Sequence, residues 1–255
     1  MVVMTGGQAV VEVLRAEKLK YIFGIPGTTT VPTVDGLAKY PDIAYILGLN
    51  ESVVVGMADG YTRVTGRPSF VNLHATIGTA HALGNLINAH KDGSPVVINP
   101  CIPDNRFLGD DCFLDTRDVV ETVQQFTKCG WLAQRTETLP QAFRRAFKVA
   151  LAPPTGPTFV ATPTNILADK ADVTIYEAGR YHITAGPAGN PDKVRAAAEV
   201  LAKSKTPIVV AGRGVAKSGA VPELVQLAEL LGAPVFWEPH NIAMNFPTDH
   251  PQYLG

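Results

Sequence analysis

Cysteine is scarce in this chain: three among 255 residues, at Cys101, Cys112 and Cys129. Their number is odd, their spacing is wide, and no Cys-x-x-Cys pair occurs. Those features argue against a disulfide scaffold and against structural zinc, and the three thiols read as packing residues or idle thiols. Excess charge is missing too. Lys and Arg number 22 against 23 Asp and Glu, a formal net charge of −1. Neither a basic stripe for nucleic acid nor an acidic tail is present. No apolar stretch is long enough to span a bilayer, and the N-terminus lacks the charged-then-apolar pattern of a signal peptide. The expectation is a cytoplasmic protein with neither a nucleic-acid nor a membrane partner. Solenoid repeats and low-complexity tracts are absent. So is a Gly-x-Gly-x-x-Gly after the first apolar strand; Gly212-Arg213-Gly214 follows a later strand but lacks the third glycine. That weakens a nicotinamide-binding reading.

What the chain does contain is alternation. Helical periodicity marks residues 5–18, with Thr5 as cap, then a helix from near Pro32, and further helices over 52–65, 78–92 and 139–151. Between them lie short runs of Val, Ile and Phe at 21–24, 43–49, 69–74, 95–99 and 158–162. These strands show no polar alternation, which predicts an α/β fold with a parallel sheet covered by helices on both faces. A first domain over 1–170 follows. Residues 171–190, with Gly179, Gly186, Pro187 and Gly189, read as a linker. The pattern restarts with a helix at 191–203, a strand at 207–211, a helix at 219–231 and a strand at 234–237. Residues 191–255 thus form the opening of a second α/β domain. Two strands and two helices bury too little to be stable alone, so the expectation is a fragment, or a domain completed elsewhere.

Ligands of parallel sheets sit at the carboxyl ends of the strands. Three segments fall there: Ile25-Pro26-Gly27-Thr28, Glu51 and His74. Glu51 stands where strand 43–49 gives way to a helix of small residues. Such a junction is expected to be nearly dry, and a dry carboxyl group tends to keep its proton and trade it with a heterocycle lying against it. The plainer reading of Glu51 is an acid favoured by the helix dipole. His74 is either an acid–base group or a half-buried imidazole bonded to backbone.

Four stretches carry a resemblance that spans the chain. They are Phe23-Gly24-Ile25-Pro26-Gly27-Thr28, Tyr45-Ile46-Leu47-Gly48-Leu49-Asn50-Glu51 running on to Ala58-Asp59-Gly60-Tyr61, Asn72-Leu73-His74-Ala75-Thr76-Ile77-Gly78-Thr79, and Phe246-Pro247-Thr248-Asp249-His250-Pro251. Together they resemble the N-terminal part of the thiamine-diphosphate-dependent 2-oxo acid decarboxylases, benzoylformate decarboxylases above all. The resemblance implies the pyrimidine-binding domain of that fold. It implies that Glu51 hydrogen-bonds the aminopyrimidine ring and favours the tautomer that deprotonates the thiazolium carbon. His74 would act near the bound keto acid. Pro26 and Gly27 would shape the turn beside the cofactor, with Gly78 and Thr79 also at the cofactor. Thr28 stands where the benzoylformate branch has a serine; it either narrows the substrate pocket or merely caps the following helix.

The same resemblance implies thiamine diphosphate with Mg²⁺, the metal held by residues outside this chain. Gly109-Asp110-Asp111 matches the family's metal motif only superficially, so no metal ligand is assigned here. The chain should hold half a site, bind the cofactor weakly by itself and not turn over. The implied partners are a small 2-oxo acid and further copies of the chain, as a tetramer with the site at a subunit interface. An acetolactate-synthase-like carboligase is the main alternative, although Ala75-Thr76-Ile77-Gly78-Thr79-Ala80-His81 matches its signature poorly. A binding subunit served by a separate diphosphate-binding chain is another. His81 departs from the family's usual asparagine and either adds a titrating group near His74 or, as favoured, faces the partner helix. Asn99, in Ile98-Asn99-Pro100-Cys101, stands near where relatives carry Gly-Gln; it either takes over the contacts of that glutamine or marks a lost role. His90, His182, His240 and His250 read as structural.

Overall fold

The structure is a computed structural model and describes residues 2–177, 188–239 and 243–255. The chain forms two compact units, Met1–Thr184 and Ala185–Gly255. In the first, the elements in order are β1 (Val2–Thr5), α1 (Gly6–Ala16), β2 (Tyr21–Gly24), α2 (Val31–Leu37), β3 (Ala44–Leu47), α3 (Glu51–Thr65), β4 (Ser69–His74), α4 (Ala75–Asp92), β5 (Val96–Ile102), α5 (Val119–Val123), β6 (Gly130–Leu132), α6 (Leu139–Leu151), β7 (Thr158–Pro163), α7 (Thr164–Ala168) and β8 (Lys170–Val173). Six of these strands make one sheet in the order β3-β2-β4-β5-β7-β6. Every pairing in it is parallel.

Successive strand residues point to opposite faces, and both faces are apolar. Ile22, Phe70, Val97 and Val160 join a core with Leu14 of α1 and Phe143 and Phe147 of α6. Phe23, Val71, Ile98 and Phe159 join a second core with Val54 and Ala58 of α3 and Leu86 of α4. Hence the strands read as continuous hydrophobic runs. Helix ends follow local chemistry. Thr5 caps α1, and its hydroxyl and the Gln8 amide satisfy each other's backbone N–H groups, a capping box worth about 1 kcal/mol. Gly66 and Gly93 close α3 and α4 at φ 67° and 63°, where a glycine carries no Cβ penalty.

Three differences from the sequence reading stand out. β1 pairs antiparallel with β8, Val2 opposite Val173 and Thr5 opposite Lys170. Residues 171–173 therefore belong to a strand of the first unit and not to a linker, while Gly179, Gly186, Pro187 and the histidines His182 and His240 lie outside the described residues. β6 was not expected. Third, β5 continues through Asn99, Pro100 and Cys101 to Ile102.

The second unit contains α8 (Pro191–Lys203), β9 (Val209–Ala211), α9 (Gly214–Lys217), α10 (Val221–Leu231) and β10 (Val235–Trp237). β9 and β10 pair in parallel. Ala211, Ala228, Val235 and Phe246 form its small core.

Candidate active site

β3 lies on one side of β2 and β4 on the other. The chain thus changes direction at β2, and the carboxyl ends of β2 and β4 are the usual ligand position in open parallel sheets. Three loops meet there. β2 delivers Pro26, Gly27 and a 3-10 turn, Thr28–Thr30. β3 leads through Asn50, whose Oδ1 accepts from the Ser52 amide at 2.9 Å, into α3 with Glu51 at its first position. β4 ends on His74, and α4 begins at once.

That abrupt start depends on Ala75, which is buried with φ 49°. A left-handed alanine costs about 1–2 kcal/mol and persists because its surroundings hold it. It turns the chain so sharply that His74 stays at the strand tip. Nδ1 of His74 lies 2.9 Å from Oγ1 of Thr29. Gly27 closes over the ring: a Cβ at this position would stand 2.4 Å from His74 Cγ and Nδ1. Thr30 Oγ1 accepts from Gly27 N and donates to Gly27 O, both at 2.9 Å. The three threonines therefore diverge. Thr30 supports the turn, Thr29 holds His74, and Thr28 is exposed. α2 has no side-chain cap, so the capping role offered for Thr28 is not filled, and the histidine contact falls to Thr29, which sequence reasoning missed.

Glu51 is only 12% exposed at its side chain, and its Oε2 lies 3.1 Å from Nδ1 of His81. Gly78 packs against the same carboxyl: a Cβ there would meet Oε1 at 3.3 Å. His81 thus faces α3. Thr79 is a correction. It is 1% exposed, and its hydroxyl donates to Ala75 O at 3.0 Å, so the side chain is spent inside α4 and is not offered to a cofactor. Asn99 lies within β5, as expected, but the strand runs on past it to Ile102. Its amide donates to Val160 O at 2.7 Å and to Thr162 Oγ1 at 3.0 Å. The β5–β7 pairing skips Asn99 and Pro100 while β4 pairs straight through both. Pro100 has no N–H to give, and the Asn99 amide supplies the missing donor.

Around it lies a buried polar cluster. Asn72 Nδ2 donates to Cys101 Sγ at 3.2 Å, and Tyr45 Oη donates to Asn72 Oδ1 at 3.2 Å. Burial pushes both the Cys101 thiol and the Tyr45 phenol up, so both stay protonated donors. All three cysteines are free. A cavity of about 530 Å³ opens beside Thr76, two residues past His74, walled by Ile102, Leu108, Val119 and Leu132 and rimmed by Arg117. His250 is bonded to Glu229 and to the Gln252 amide. Among the described residues no cluster of three His, Cys, Asp or Glu could hold a metal ion, and no helix is long and apolar enough to cross a membrane.

This sheet, with an acid at the start of α3 and glycines cleared beside it, is matched by a family of known enzymes. The profile "Thiamine pyrophosphate enzyme, N-terminal TPP binding domain" matches residues 4–106, and the central-domain profile of the same enzymes matches 194–255. The chain belongs to this family, whose cofactor is thiamine diphosphate with Mg²⁺. It is 32% identical to a benzoylformate decarboxylase of Pseudomonas aeruginosa over 96% of its own length and 46% of that protein. It is 30% identical to a probable acetolactate synthase large subunit of Methanocaldococcus jannaschii over 99% of its length and 43% of that protein. Among solved structures, the thiamine diphosphate-dependent 4-hydroxybenzoylformate decarboxylase of Rhodococcus jostii RHA1 superposes with a TM-score of 0.90 at 32% identity, covering 99% of this chain and 47% of that one. The chain therefore spans less than half the length of these relatives.

The residues present fit the pyrimidine end of that cofactor. Oε1 of Glu51 has no hydrogen-bond partner among the described residues, and the position beside it, at Gly78, is one a side chain would fill.

Proposed function

We propose that the protein takes part in non-oxidative decarboxylation of a 2-oxo acid of the benzoylformate kind, giving an aldehyde and carbon dioxide. Thiamine diphosphate, when bound, would supply an acidic thiazolium carbon and a sink for the electron pair left behind when carbon dioxide departs. Glu51 holds a proton at its carboxyl beside the pyrimidine position. Pro26, Gly27 and Gly78 let backbone approach without obstruction. His74 moves a proton at, or orients, the carboxyl end of the substrate. Thr28, exposed beside Thr29, is assigned to the substrate pocket, and the apolar wall of Ile102, Leu108 and Leu132 in the cavity beside Thr76 suits an organic side chain. The diphosphate and Mg²⁺ fall to residues outside this chain. A cytoplasmic homotetramer with the site at a subunit interface completes the reading, with a first domain that runs through β8 and the opening of a second from residue 191.

The observation that carries the decarboxylase assignment is His74 at the tip of β4, buttressed by Thr29 at 2.9 Å. An imidazole bound at Nδ1 turns Nε2 outward, the arrangement of a positioned proton donor or acceptor. A carboligase is the second reading, favoured by the 30% identity to the acetolactate synthase subunit. Product analysis with benzoylformate and with pyruvate, on the enzyme that contains this chain together with its diphosphate-binding part, in the presence of thiamine diphosphate and Mg²⁺, separates them. Benzaldehyde with carbon dioxide supports the first reading; a coupled acetohydroxy acid from pyruvate, with no benzaldehyde from benzoylformate, supports the second.

A further inference from the structure

The two oxygens of Glu51 have different surroundings. Oε2 lies 3.1 Å from Nδ1 of His81. Oε1 has no such partner among the described residues and lies against Gly78. A protonated carboxyl group has one hydroxyl and one carbonyl oxygen, and a donor aimed at one of them makes that one the carbonyl. We propose that His81 is a positioning residue for Glu51: its Nδ1–H fixes Oε2 as the acceptor and leaves the proton on Oε1, the oxygen that faces the space beside Gly78. The proposal rests on the reading of Glu51 given above.

The contact is built into the packing of α3 on α4. Gly78, His81 and Asn85 recur at helical spacing and so share one face of α4. Gly78 meets the Glu51 side chain, His81 meets its Oε2, and the Asn85 amide donates to Ser52 O at 2.7 Å and to Ser52 Oγ at 3.1 Å. Asn85 Nδ2 would also stand 3.3 Å from a Cβ at Gly56. Small residues bring the helices close, and the Asn85 bonds lock their register. His81 is therefore delivered to one oxygen of one carboxyl group. Its side chain is 54% exposed, so its value lies in orientation more than in Coulomb energy, which water screens.

Two experiments test this. Long-range ¹H–¹⁵N spectra of the protein without cofactor, at alkaline pH, report which ring nitrogen of His81 carries the proton. An unconstrained histidine favours Nε2–H; the proposal requires Nδ1–H in the wild type and a return towards Nε2–H in Glu51→Ala. A bare Nδ1 in the wild type overturns it. The second experiment compares His81→Asn with His81→Asp in the holoenzyme with benzoylformate. The two replacements have the same size, but only the amide can direct an N–H at Oε2. His81→Asn should keep most of the turnover and His81→Asp should lose about 10- to 100-fold relative to it, at similar thermal midpoints. Equal rates for the two, alongside a loss with Glu51→Gln, overturn the proposal alone. A wild-type rate for Glu51→Gln overturns the role of Glu51, and the proposal with it.

Discussion

Thr29 Oγ1 and His74 Nδ1 stand 2.9 Å apart, joining the turn after β2 to the tip of β4 where the strand order reverses. The two residues are 45 positions apart in the chain, and the contact exists only because β2 and β4 are neighbours in the sheet. Thr29 is nearly buried. Valine has the same shape without the hydroxyl. Thr29→Val should leave folding almost unchanged and release the His74 ring, lowering turnover about tenfold, the value of one oriented hydrogen bond. Thr29→Ser keeps the oxygen and should retain most of the rate. Steady-state kinetics of the pair, with the pH profile of kcat/KM, decide; equal rates for Val and Ser would show that Thr29 does not orient His74.

Glu51 and His74 should separate by the size of the loss. Glu51→Gln removes the transferable proton while keeping the shape, and circular dichroism should show an intact fold. His74→Ala should lower turnover by about 10²–10⁴-fold, the range for a positioned proton-transfer group, and Glu51→Gln should cost more still. Near-normal turnover by Glu51→Gln would refute its assignment. A larger loss at His74 than at Glu51 would invert the roles proposed for them.

The strand-end positions of these two residues were legible in the sequence for a simple reason. Each sits where a short, continuous apolar run hands over to a helix, and in a parallel sheet that place is the ligand edge. The buried strands were legible because both their faces are apolar. β1 was not, because its pairing partner lies near the far end of the first unit and Val2 and Val3 remain exposed. β6 is only three residues long, too short to show a period. Thr28, Thr29 and Thr30 are identical in type, and only the pitch of the 3-10 turn decides which of them meets His74. Thr79 was placed at the cofactor by the family resemblance alone; its hydroxyl turns back onto its own helix.

The end of β5 was not legible either. A proline usually ends a central strand, so the sequence places the end of β5 before Pro100. The Asn99 side chain repairs the ladder by donating to Val160 O at 2.7 Å. Asn99→Leu should therefore leave that buried carbonyl unpaired and destabilise the fold by about 1–3 kcal/mol. A second substitution, Pro100→Val, restores a backbone N–H and should recover part of the loss. Urea unfolding of the single and double variants measures the coupling. Strict additivity would show that the amide does not stand in for the missing donor.

Gly27 offers the sharpest steric test. Its φ is −150°, extended backbone that any residue adopts, so the glycine is not needed for conformation. It is needed for room: a Cβ would lie 2.4 Å from two atoms of the His74 ring. Gly27→Ala must push the imidazole away or open the turn. Ala75 holds the base of that ring in a left-handed elbow, which leaves the ring little freedom to swing aside. Turnover should fall at least as far as in Thr29→Val, and overpacking should cost about 1–3 kcal/mol of stability. Gly78→Ala provides the contrast, since its Cβ would meet Glu51 Oε1 at 3.3 Å, a distance that a few tenths of an ångström relieves. That variant should stay near wild-type stability and lose activity through the displaced carboxyl alone. If Gly27→Ala proved as stable and as active as the wild type, the close approach of the turn to His74 could not be what shapes this edge of the sheet.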